Sequence, residues 1–226
     1  MILSEKTLDV LKNFSTINPG IFINPGKTIK TIGKNKNILA EYVADEEFKQ
    51  KFGIYELPSL LAILTLEKGN TEIDFTKDSL KIVSLAGRRK MEYRFCGEEM
   101  VTVPPEKGIQ MPKTDIVFDL SAADLEIIER SVRVLSSTNI ALVSNGKKVK
   151  IKNYDASNDA AATSELEICD GNGDSYEIIY KVESWKMYPG DYTVSVSSKG
   201  VSHFKNKNMN LQYWITNEPG SVYNPK

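Results

Sequence analysis

A short acidic turn is the part of the sequence that most resembles a metal site. Residues 170–174 read DGNGD and begin like a calcium-binding loop, in which oxygen ligands alternate along the chain. The pattern then departs from such a loop, because Ser175 stands where the sharp turn requires glycine and Lys181 stands where a glutamate closes the site. We therefore interpret the segment as a solvated turn and expect no bound metal.

Other residues that could react are few. His203 is the only histidine, which excludes most His-based catalysis and most zinc sites, and its polar surroundings predict a surface position. Cys96 and Cys169 lie far apart in a chain whose N-terminus lacks the basic and apolar segments of a signal peptide, so we expect an unsecreted protein with free thiols. The sequence contains no motif of a serine hydrolase, phosphate-binding loop, dinucleotide site or zinc protease. It predicts no catalytic residue, no metal and no cofactor.

Composition and charge restrict the class of protein further. The 226 residues are 41% hydrophobic and 26% charged, which is typical of a globular protein. No apolar run approaches the roughly 18 residues that a membrane-spanning helix needs, so we expect no membrane partner. A net charge of −1 excludes the class of proteins that bind nucleic acid mainly through a large net positive charge.

The chain divides in two by charge and by proline content. Residues 1–97 hold 15 basic and 12 acidic residues, a balance of +3, whereas residues 98–226 hold 14 basic and 18 acidic residues, a balance of −4. Prolines cluster near the change, at 104–112, and proline offers a sheet no amide donor. We therefore predict an N-terminal domain at 1–97, a linker at 98–113 and a C-terminal domain at 114–226.

Each half begins with a predicted amphipathic helix. Ser4 and Ser121 can each cap the first turn, since a serine hydroxyl accepts a hydrogen bond from a free amide there. Apolar residues then recur at the period of a helix with one buried face. The apolar stripes are Leu3, Thr7, Val10, Leu11 and Phe14 in the first helix and Leu125, Ile128, Val132 and Leu135 in the second. Both helices should therefore bury one side against a sheet.

Strand-like runs follow each helix in a similar order. The predicted strands are 20–23, 27–32, 38–43, 52–56, 71–75, 79–85, 88–95, 139–143, 147–153, 163–168, 175–182, 191–197, 199–205 and 211–216, and the further predicted helical segments are a helix at 58–66 and a helical turn at 183–188. Such a repeated unit predicts an α+β fold with antiparallel sheets and four helices on one face of the sheets.

Three stretches together resemble a known family. They are LSEKTLDVLKNFSTIN at 3–18, the spacing of Asp124, Leu125, Arg130 and Arg133, and KMYPGDY at 186–192. In its length, in the order of its elements and in these stretches, the whole chain resembles the sliding clamp of T-even-type bacteriophages, a DNA polymerase processivity factor. None of the three stretches alone identifies the family; their occurrence together, in this order along the chain, does.

The resemblance implies a ring with several partners. Three identical chains, each with two similar domains, would close head to tail around duplex DNA, with antiparallel sheets outside and helices lining the inner face. Such a homotrimer has no catalytic activity; an ATP-dependent clamp loader opens and closes it, and the replicative DNA polymerase docks on it by a short peptide. The resemblance also implies contact with late-transcription factors and a location in the cytoplasm of an infected bacterial host.

The resemblance assigns three groups of residues to these tasks. The DNA-facing residues would be Lys6, Lys12, Arg130, Arg133 and Lys186. The partner-peptide pocket beside the linker would contain Val103, Ile109, Met111, Tyr213 and Ile215. The subunit interface, between the last strand of the first domain and an edge strand of the second, would contain Met91, Tyr93, Phe95, Leu166 and Ile168. Helical periodicity by itself places Lys12, Arg130 and Arg133 opposite the apolar stripes.

Plainer interpretations stay open for each group. Basic residues opposite a buried face can simply be solvated, alternating apolar residues also suit an ordinary core face, and apolar linker residues can pin a linker to a sheet. For the whole chain, the alternative is a β-rich phage structural or assembly protein that does not tether DNA and packs its helices inside. A second alternative is a hydrolase without a recognised motif.

Overall fold

A computed structural model of the chain describes residues 2–65, 71–84 and 89–226. The chain forms two units, Met1–Lys107 and Gly108–Lys226. The residues Leu66, Leu85 and Arg88, which the sequence predicts at the ends of a helix and two strands, lie outside the described residues.

Two helices pack together in the first unit. Helix α1 (Glu5–Ile17) begins after Ser4, whose hydroxyl accepts a hydrogen bond from the Thr7 amide at 3.2 Å. Helix α2 (Leu57–Thr65) contains no charged residue and packs against α1. The buried residues of α1 are Thr7, Leu8, Val10, Leu11, Phe14 and Ile17, and those of α2 are Leu57, Leu60, Leu61 and Leu64. The predicted stripe of α1 is confirmed apart from Leu3, which is half-buried.

The strands of the first unit form antiparallel pairs. They are β1 (Ile21–Ile23), β2 (Gly26–Ile32), β3 (Ile38–Phe48), β4 (Phe52–Ile54), β5 (Thr71–Phe75), β6 (Ser79–Ser84) and β7 (Lys90–Arg94). β1 pairs with β4, β2 pairs with β3, and β5, β6 and β7 form a three-stranded sheet in that order. Helix α1 packs on β2 and β3, so its apolar stripe is covered by these strands and by α2.

The second unit places one long helix on a sheet. Helix α3 (Ala122–Leu135) begins after Ser121, which caps the Asp124 amide at 3.1 Å. The strands are β8 (Ile116–Leu120), β9 (Asn139–Asn145), β10 (Lys148–Tyr154), β11 (Ser164–Asp170), β12 (Ser175–Lys181), β13 (Tyr192–Ser197), β14 (Val201–Asn206), β15 (Leu211–Thr216) and β16 (Val222–Asn224). α3 packs on β10 and β11, which belong to a five-stranded sheet in the order β11-β10-β9-β12-β16. The other strands pair antiparallel in the order β8-β13-β14-β15.

The helical turn predicted at 183–188 is only partly confirmed, and it supplies no fourth α-helix within the described residues. The chain makes only a short 3-10 turn at Val182–Ser184 and then runs on without regular structure. Trp185 and Met187 are both buried, and an alternation of buried side chains is the pattern of an extended segment rather than a helix. Pro189 follows closely and has no amide with which to continue a helix. The described residues therefore contain three α-helices, not four.

Two strands are absent from the sequence prediction. β8 lies just before α3 and alternates buried and exposed side chains over five residues. β16 is three residues long and pairs with β12 near the C-terminus. Short strands of this kind are recognised by their pairing with distant residues, which local sequence patterns do not contain. None of the helices in the described part is long and apolar enough to cross a bilayer.

Candidate functional site

The exposed faces of α1 and α3 carry most of the predicted DNA-facing residues. Lys6 and Lys12 are exposed on α1, and Lys12 Nζ lies 2.9 Å from Asp9 Oδ1, both side chains being about half accessible. Arg130 and Arg133 are exposed on α3, as helical periodicity predicts. These four side chains are available to an external ligand.

The same helices contain slightly more acidic than basic residues, five against four. The acidic residues of α1 and α3 are Glu5, Asp9, Asp124, Glu126 and Glu129, and their basic residues are Lys6, Lys12, Arg130 and Arg133. Apolar side chains also reach solvent on α3, where Ile127 is 46% exposed and Val134 is 81% exposed. A polyanion would therefore meet a sparse set of cations rather than a basic patch.

Glu129 links the basic face of α3 to its buried side. Its carboxylate lies 3.8 Å from the Arg133 guanidinium, one helical turn away. Burial raises the pKa of Glu129, the Arg133 charge opposes that effect, and the neighbouring Glu126 adds to it, so that the pKa lies above its usual value. Arg133 is thus partly neutralised by its neighbour, whereas Arg130 has no ion pair within the described residues.

A carboxylate from β3 holds the start of α1. Glu46 accepts hydrogen bonds from the backbone amide of Ser4 and from the Thr7 hydroxyl, the latter at 2.7 Å. Burial tends to raise the pKa of Glu46, but these hydrogen bonds outweigh it and the pKa is lowered. The helix N-terminus also favours a negative charge there. No local sequence pattern marks Glu46 as an anchor of the helix.

Lys186 is half-buried and does not lie on a helix. Its neighbours Trp185 and Met187 are buried, and the Trp185 ring packs 5.5 Å from that of Tyr180. This placement corrects the expectation that Lys186 belongs to a fourth lining helix. The side chain starts from an irregular segment that the core fixes on both sides.

The predicted pocket residues differ in their accessibility. Val103 lines an open groove in the first unit together with Phe22, Pro104 and Pro105. In the second unit, Ile109 is 36% exposed and Met111 is half-buried. Tyr213 and Ile215 are completely buried on β15, so a peptide cannot reach them while this strand stays packed.

Two edge strands carry the predicted interface residues. Met91, Tyr93 and Phe95 are half-buried along β7 and its continuation, with the Phe95 ring centroid 5.1 Å from that of Phe52. Leu166 and Ile168 are half-buried on β11. Both strands are the outermost members of their sheets in the described part of the chain.

The residues considered for chemistry have structural partners. Asp174, in the acidic turn, accepts hydrogen bonds from the Tyr223 hydroxyl at 2.8 Å and from the Lys226 amide at 2.9 Å, and these bonds fix the C-terminal segment. The described residues hold no cluster of His, Cys, Asp and Glu that could bind a metal. His203 stacks on Trp214 with ring centroids 4.9 Å apart. Burial raises the pKa of both thiols, Cys96 and Cys169, and so disfavours the reactive thiolate.

Comparison with known proteins covers almost the whole chain. The family model described as DNA polymerase processivity factor matches residues 4–97, and the model described as gp45 sliding clamp, C terminal, matches residues 117–219. The sliding clamp of Escherichia phage RB69 is 30% identical over 204 residues, which are 88% of this chain and 89% of that protein. The sliding clamp of Vibrio phage KVP40 is 28% identical over 223 residues, which are 96% of this chain and 99% of that protein.

Solved structures with low sequence identity share the fold. The proliferating cellular nuclear antigen of Entamoeba histolytica matches with a TM-score of 0.64 at 13% identity, over 94% of this chain and 95% of that one. The beta clamp of H. pylori matches with a TM-score of 0.69 at 11% identity, over 96% of this chain and 65% of that one. The predicted α+β clamp fold is thereby confirmed. Together with the family models and the phage relatives, these matches show that the chain belongs to the phage sliding clamp family and is a DNA polymerase processivity factor.

Proposed function

We propose that the chain closes as a homotrimeric ring around duplex DNA and tethers the replicative polymerase there. An ATP-dependent clamp loader opens and closes the ring, and the protein itself carries out no catalysis and uses no cofactor. The ring acts in the cytoplasm of the infected bacterial host, and it also contacts late-transcription factors. Each chain contributes a domain at 1–97, a linker at 98–113 and a domain at 114–226.

The observation that carries this proposal is the match of both clamp family models, in chain order, to the two ends of one chain. The charge of the helices supports it physically. A sliding tether must not bind tightly, because every phosphate contact adds affinity that slows movement. Four exposed cations among five acidic residues on α1 and α3 fit such a surface, whereas a protein that reads a groove needs a dense basic patch.

Three groups of residues serve this function. Lys6, Lys12, Arg130 and Arg133 face the DNA from the helices, and Lys186 faces it from an irregular segment. Val103, Ile109 and Met111 form the partner-peptide pocket, since all three reach the surface; Tyr213 and Ile215 are omitted because they are buried. Met91, Tyr93 and Phe95 of one chain meet Leu166 and Ile168 of the next.

A loader-dependent primer-extension assay tests the proposal. Primed circular DNA is extended by the cognate polymerase with loader and ATP, in the presence of a trap for polymerase that dissociates. We expect the protein to lengthen the products of a single encounter at least tenfold, and to do so only when the loader is present. Sedimentation at micromolar concentration should show a trimer or a monomer–trimer equilibrium. Higher assemblies that leave product length unchanged would favour the alternative of a phage structural protein.

A further inference from the structure

A single buried side chain joins the linker to the rest of the first unit. Asn18 directly follows α1, and only 3% of its surface is exposed. Its Nδ2 atom donates hydrogen bonds to the Ile32 carbonyl at 3.1 Å and to the Thr102 carbonyl at 3.2 Å. Its Oδ1 atom accepts a hydrogen bond from the Gly20 amide at 3.0 Å. Both amide hydrogens and the oxygen of this side chain are therefore used, and their partners come from three separate segments of the chain.

Close packing holds the linker at the same place. Gly20 is buried, and a Cβ atom at this position would lie 2.7 Å from the Val101 Cγ1 atom. The Val101 side chain therefore occupies space that any other residue at position 20 would need. The amide of Val101 also donates a hydrogen bond to the Glu98 carbonyl at 3.2 Å. Residues 101 and 102 are thus held by packing and by hydrogen bonds, directly before Val103.

The groove that Val103 lines has two walls, and Asn18 is bonded to the backbone beside each of them. One wall comes from β1 and β2 and includes Phe22, and the other comes from linker residues 103–106. Ile32 is the last residue of β2, in the first wall, and Thr102 directly precedes the second wall. The position of one wall relative to the other therefore depends on this side chain.

The two carbonyls that Asn18 binds differ in how firmly they are held. Ile32 pairs with Leu39 in the ladder of β2 and β3, and the amide of Gly33 after it bonds the Ile38 carbonyl at 2.8 Å. Thr102 lies in a segment without regular secondary structure. Loss of the two hydrogen bonds should therefore displace the linker and leave β2 in place.

We propose that Asn18 is a positioning residue that holds the linker where Val103 can contact a partner peptide. This inference rests on the proposed partner pocket and specifies what keeps one wall of that pocket in place. Asn18 is buried, so it acts through Thr102 and does not touch the peptide. A site that is complete only part of the time binds with an affinity reduced by that fraction. The hydrogen bonds of Asn18 thus raise the affinity for the peptide by keeping the linker in its binding position.

Asn18→Asp keeps the shape of the side chain and removes both donors. A carboxylate oxygen would then face the Ile32 and Thr102 carbonyls without a hydrogen to give them. If the linker is then in place about a tenth of the time, the affinity for a labelled peptide copied from the polymerase C-terminus should fall about tenfold.

Asn153→Asp is the matched control for this substitution. Asn153 is 2% exposed, and its Nδ2 atom donates to the Ser137 hydroxyl at 3.0 Å. Its Oδ1 atom accepts from the Ser131 hydroxyl at 3.1 Å, so these partners lie outside the linker. The control removes the donors of an equally buried amide, and it should bind the peptide normally.

Hydrogen exchange of backbone amides separates displacement of the linker from a general loss of stability. In the Asn18→Asp protein, the amides of residues 101–103 should exchange severalfold faster than in the unmodified protein. In the Asn153→Asp protein, these amides should exchange at the unmodified rate. The midpoint of thermal unfolding, measured for both variants, shows whether each is folded under the conditions of the binding assay.

Gly20→Ala displaces the linker without changing the Asn18 side chain. The new methyl group would meet the Val101 side chain and would also lie 3.3 Å from the Tyr55 carbonyl oxygen. Adding Val101→Ala removes the first contact and keeps the second, so comparison of the two proteins isolates the effect on the linker. We expect Gly20→Ala to weaken peptide binding severalfold and the double variant to restore it to within about twofold of the unmodified protein.

The outcomes distinguish the role of Asn18 from the existence of the pocket. Unchanged peptide affinity in the Asn18→Asp protein would overturn the proposal, whatever the exchange rate of its linker, and so would equal losses of affinity in this protein and in Asn153→Asp. If Asn18→Asp does not fold, the glycine series decides, and a Gly20→Ala protein that binds normally, or that Val101→Ala does not rescue, refutes the role of Asn18. In each of these cases the pocket itself stands. A peptide that does not bind the unmodified protein would refute the partner pocket, and the role of Asn18 with it.

Discussion

At the residue scale, Arg130 and Arg133 are basic side chains whose role can be separated from folding. Both are exposed and point away from the residues that α3 buries. We expect Arg130→Glu with Arg133→Glu to reduce loading at least tenfold and to shorten retention on DNA that has a free end. Exposed substitutions usually change the free energy of unfolding by less than about 0.5 kcal/mol, so the midpoint of thermal unfolding should hardly move.

Lys199→Glu with Lys205→Glu is the matched control for these arginines. It makes the same change of charge at exposed positions outside the helices. Loading should be close to that of the unmodified protein. Equal losses in the two double variants would indicate a general effect of net charge and remove the arginines from the DNA-facing set.

Met111 tests the partner pocket at the same scale. It is half-buried, so a charge there would spoil an apolar site for a short peptide. We expect Met111→Glu to weaken binding of a labelled peptide from the polymerase C-terminus by tenfold or more, which corresponds to about 1.4 kcal/mol. Val222→Glu, at a residue that is 50% exposed, is the control and should bind the peptide normally. Unchanged affinity for the Met111 variant would exclude that residue from the pocket.

The sequence predicts the residues of helices better than those of strands and linkers. Lys12, Arg130 and Arg133 are exposed as expected, because the helical period alone decides which side of a helix is buried. Tyr213 and Ile215 are buried because their strand packs within a sheet assembled from distant residues. The anchor Glu46 depends on a contact with Thr7, 39 positions away, which no local pattern contains.

At the element scale, Glu46 fixes the N-terminus of α1 and makes the free energy of unfolding depend on pH in the acid range. The Glu46→Gln variant loses the charge that accepts from Ser4 and Thr7, and hydrogen bonds to charged groups contribute about 1.5 to 3 kcal/mol. Since the folded-state pKa lies below its ordinary value of 4.5, this stabilisation is present above that value and is lost as pH falls through the folded-state pKa.

Urea unfolding at several pH values checks this dependence. The difference between the unmodified protein and Glu46→Gln should be largest near neutral pH and should shrink in acid. Glu47→Gln is the matched control, because Glu47 is the exposed neighbour on the same strand. A difference that stays constant down to acid pH would show that the side-chain shape, and not the charge, anchors the helix.

The C-terminus of α3 offers a substitution that should stabilise the protein. Ser136 caps this helix with a φ of 51°, in the left-handed region that favours glycine. Ser136→Gly relieves roughly 1 to 2 kcal/mol of backbone strain in the folded state. Glycine also gives the unfolded chain more conformational entropy, which opposes this gain by roughly 0.4 to 1 kcal/mol. The free energy of unfolding should therefore rise by about 0.5 to 1 kcal/mol. Ala123→Gly, inside the same helix, should lower it by about as much. Chemical unfolding of both variants checks the opposite signs.

Elements with a strong local pattern are predicted correctly, and the exceptions have a common cause. α1 and α3 start at their serine caps because capping and periodicity are local. The helical turn expected at 183–188 ends at Ser184, because Trp185 packs in the core with its ring centroid 5.4 Å from that of Phe204, a residue distant in sequence. Tertiary packing of this kind overrides a weak helical pattern.

At the scale of the whole molecule, the balance of charge on α1 and α3 bears on how the protein stays on DNA, by enclosing the DNA or by binding it through charge contacts. If Lys6, Lys12, Arg130 and Arg133 each neutralised a phosphate, the affinity of a single chain for DNA would fall roughly 600-fold between about 50 and about 300 mM salt, from a slope near −0.9 per contact, and that of a ring of several chains would fall further. The acidic residues on the same helices oppose such contacts. A closed ring is held by topology, which salt does not weaken.

The lifetime of the protein on closed circular DNA distinguishes a ring that encloses DNA from a protein held on DNA by charge. After loading and removal of the loader, we expect the half-life of the protein on the circle to change less than threefold over that range of salt. Cutting the circle once should release the protein at every salt concentration, because a free end lets a ring slide off. The Arg130→Glu, Arg133→Glu protein, once loaded, should leave a cut circle faster than the unmodified protein but should stay on an intact one. A half-life on intact circles that falls several-hundredfold with salt would mean that charge, and not enclosure, holds the protein on DNA.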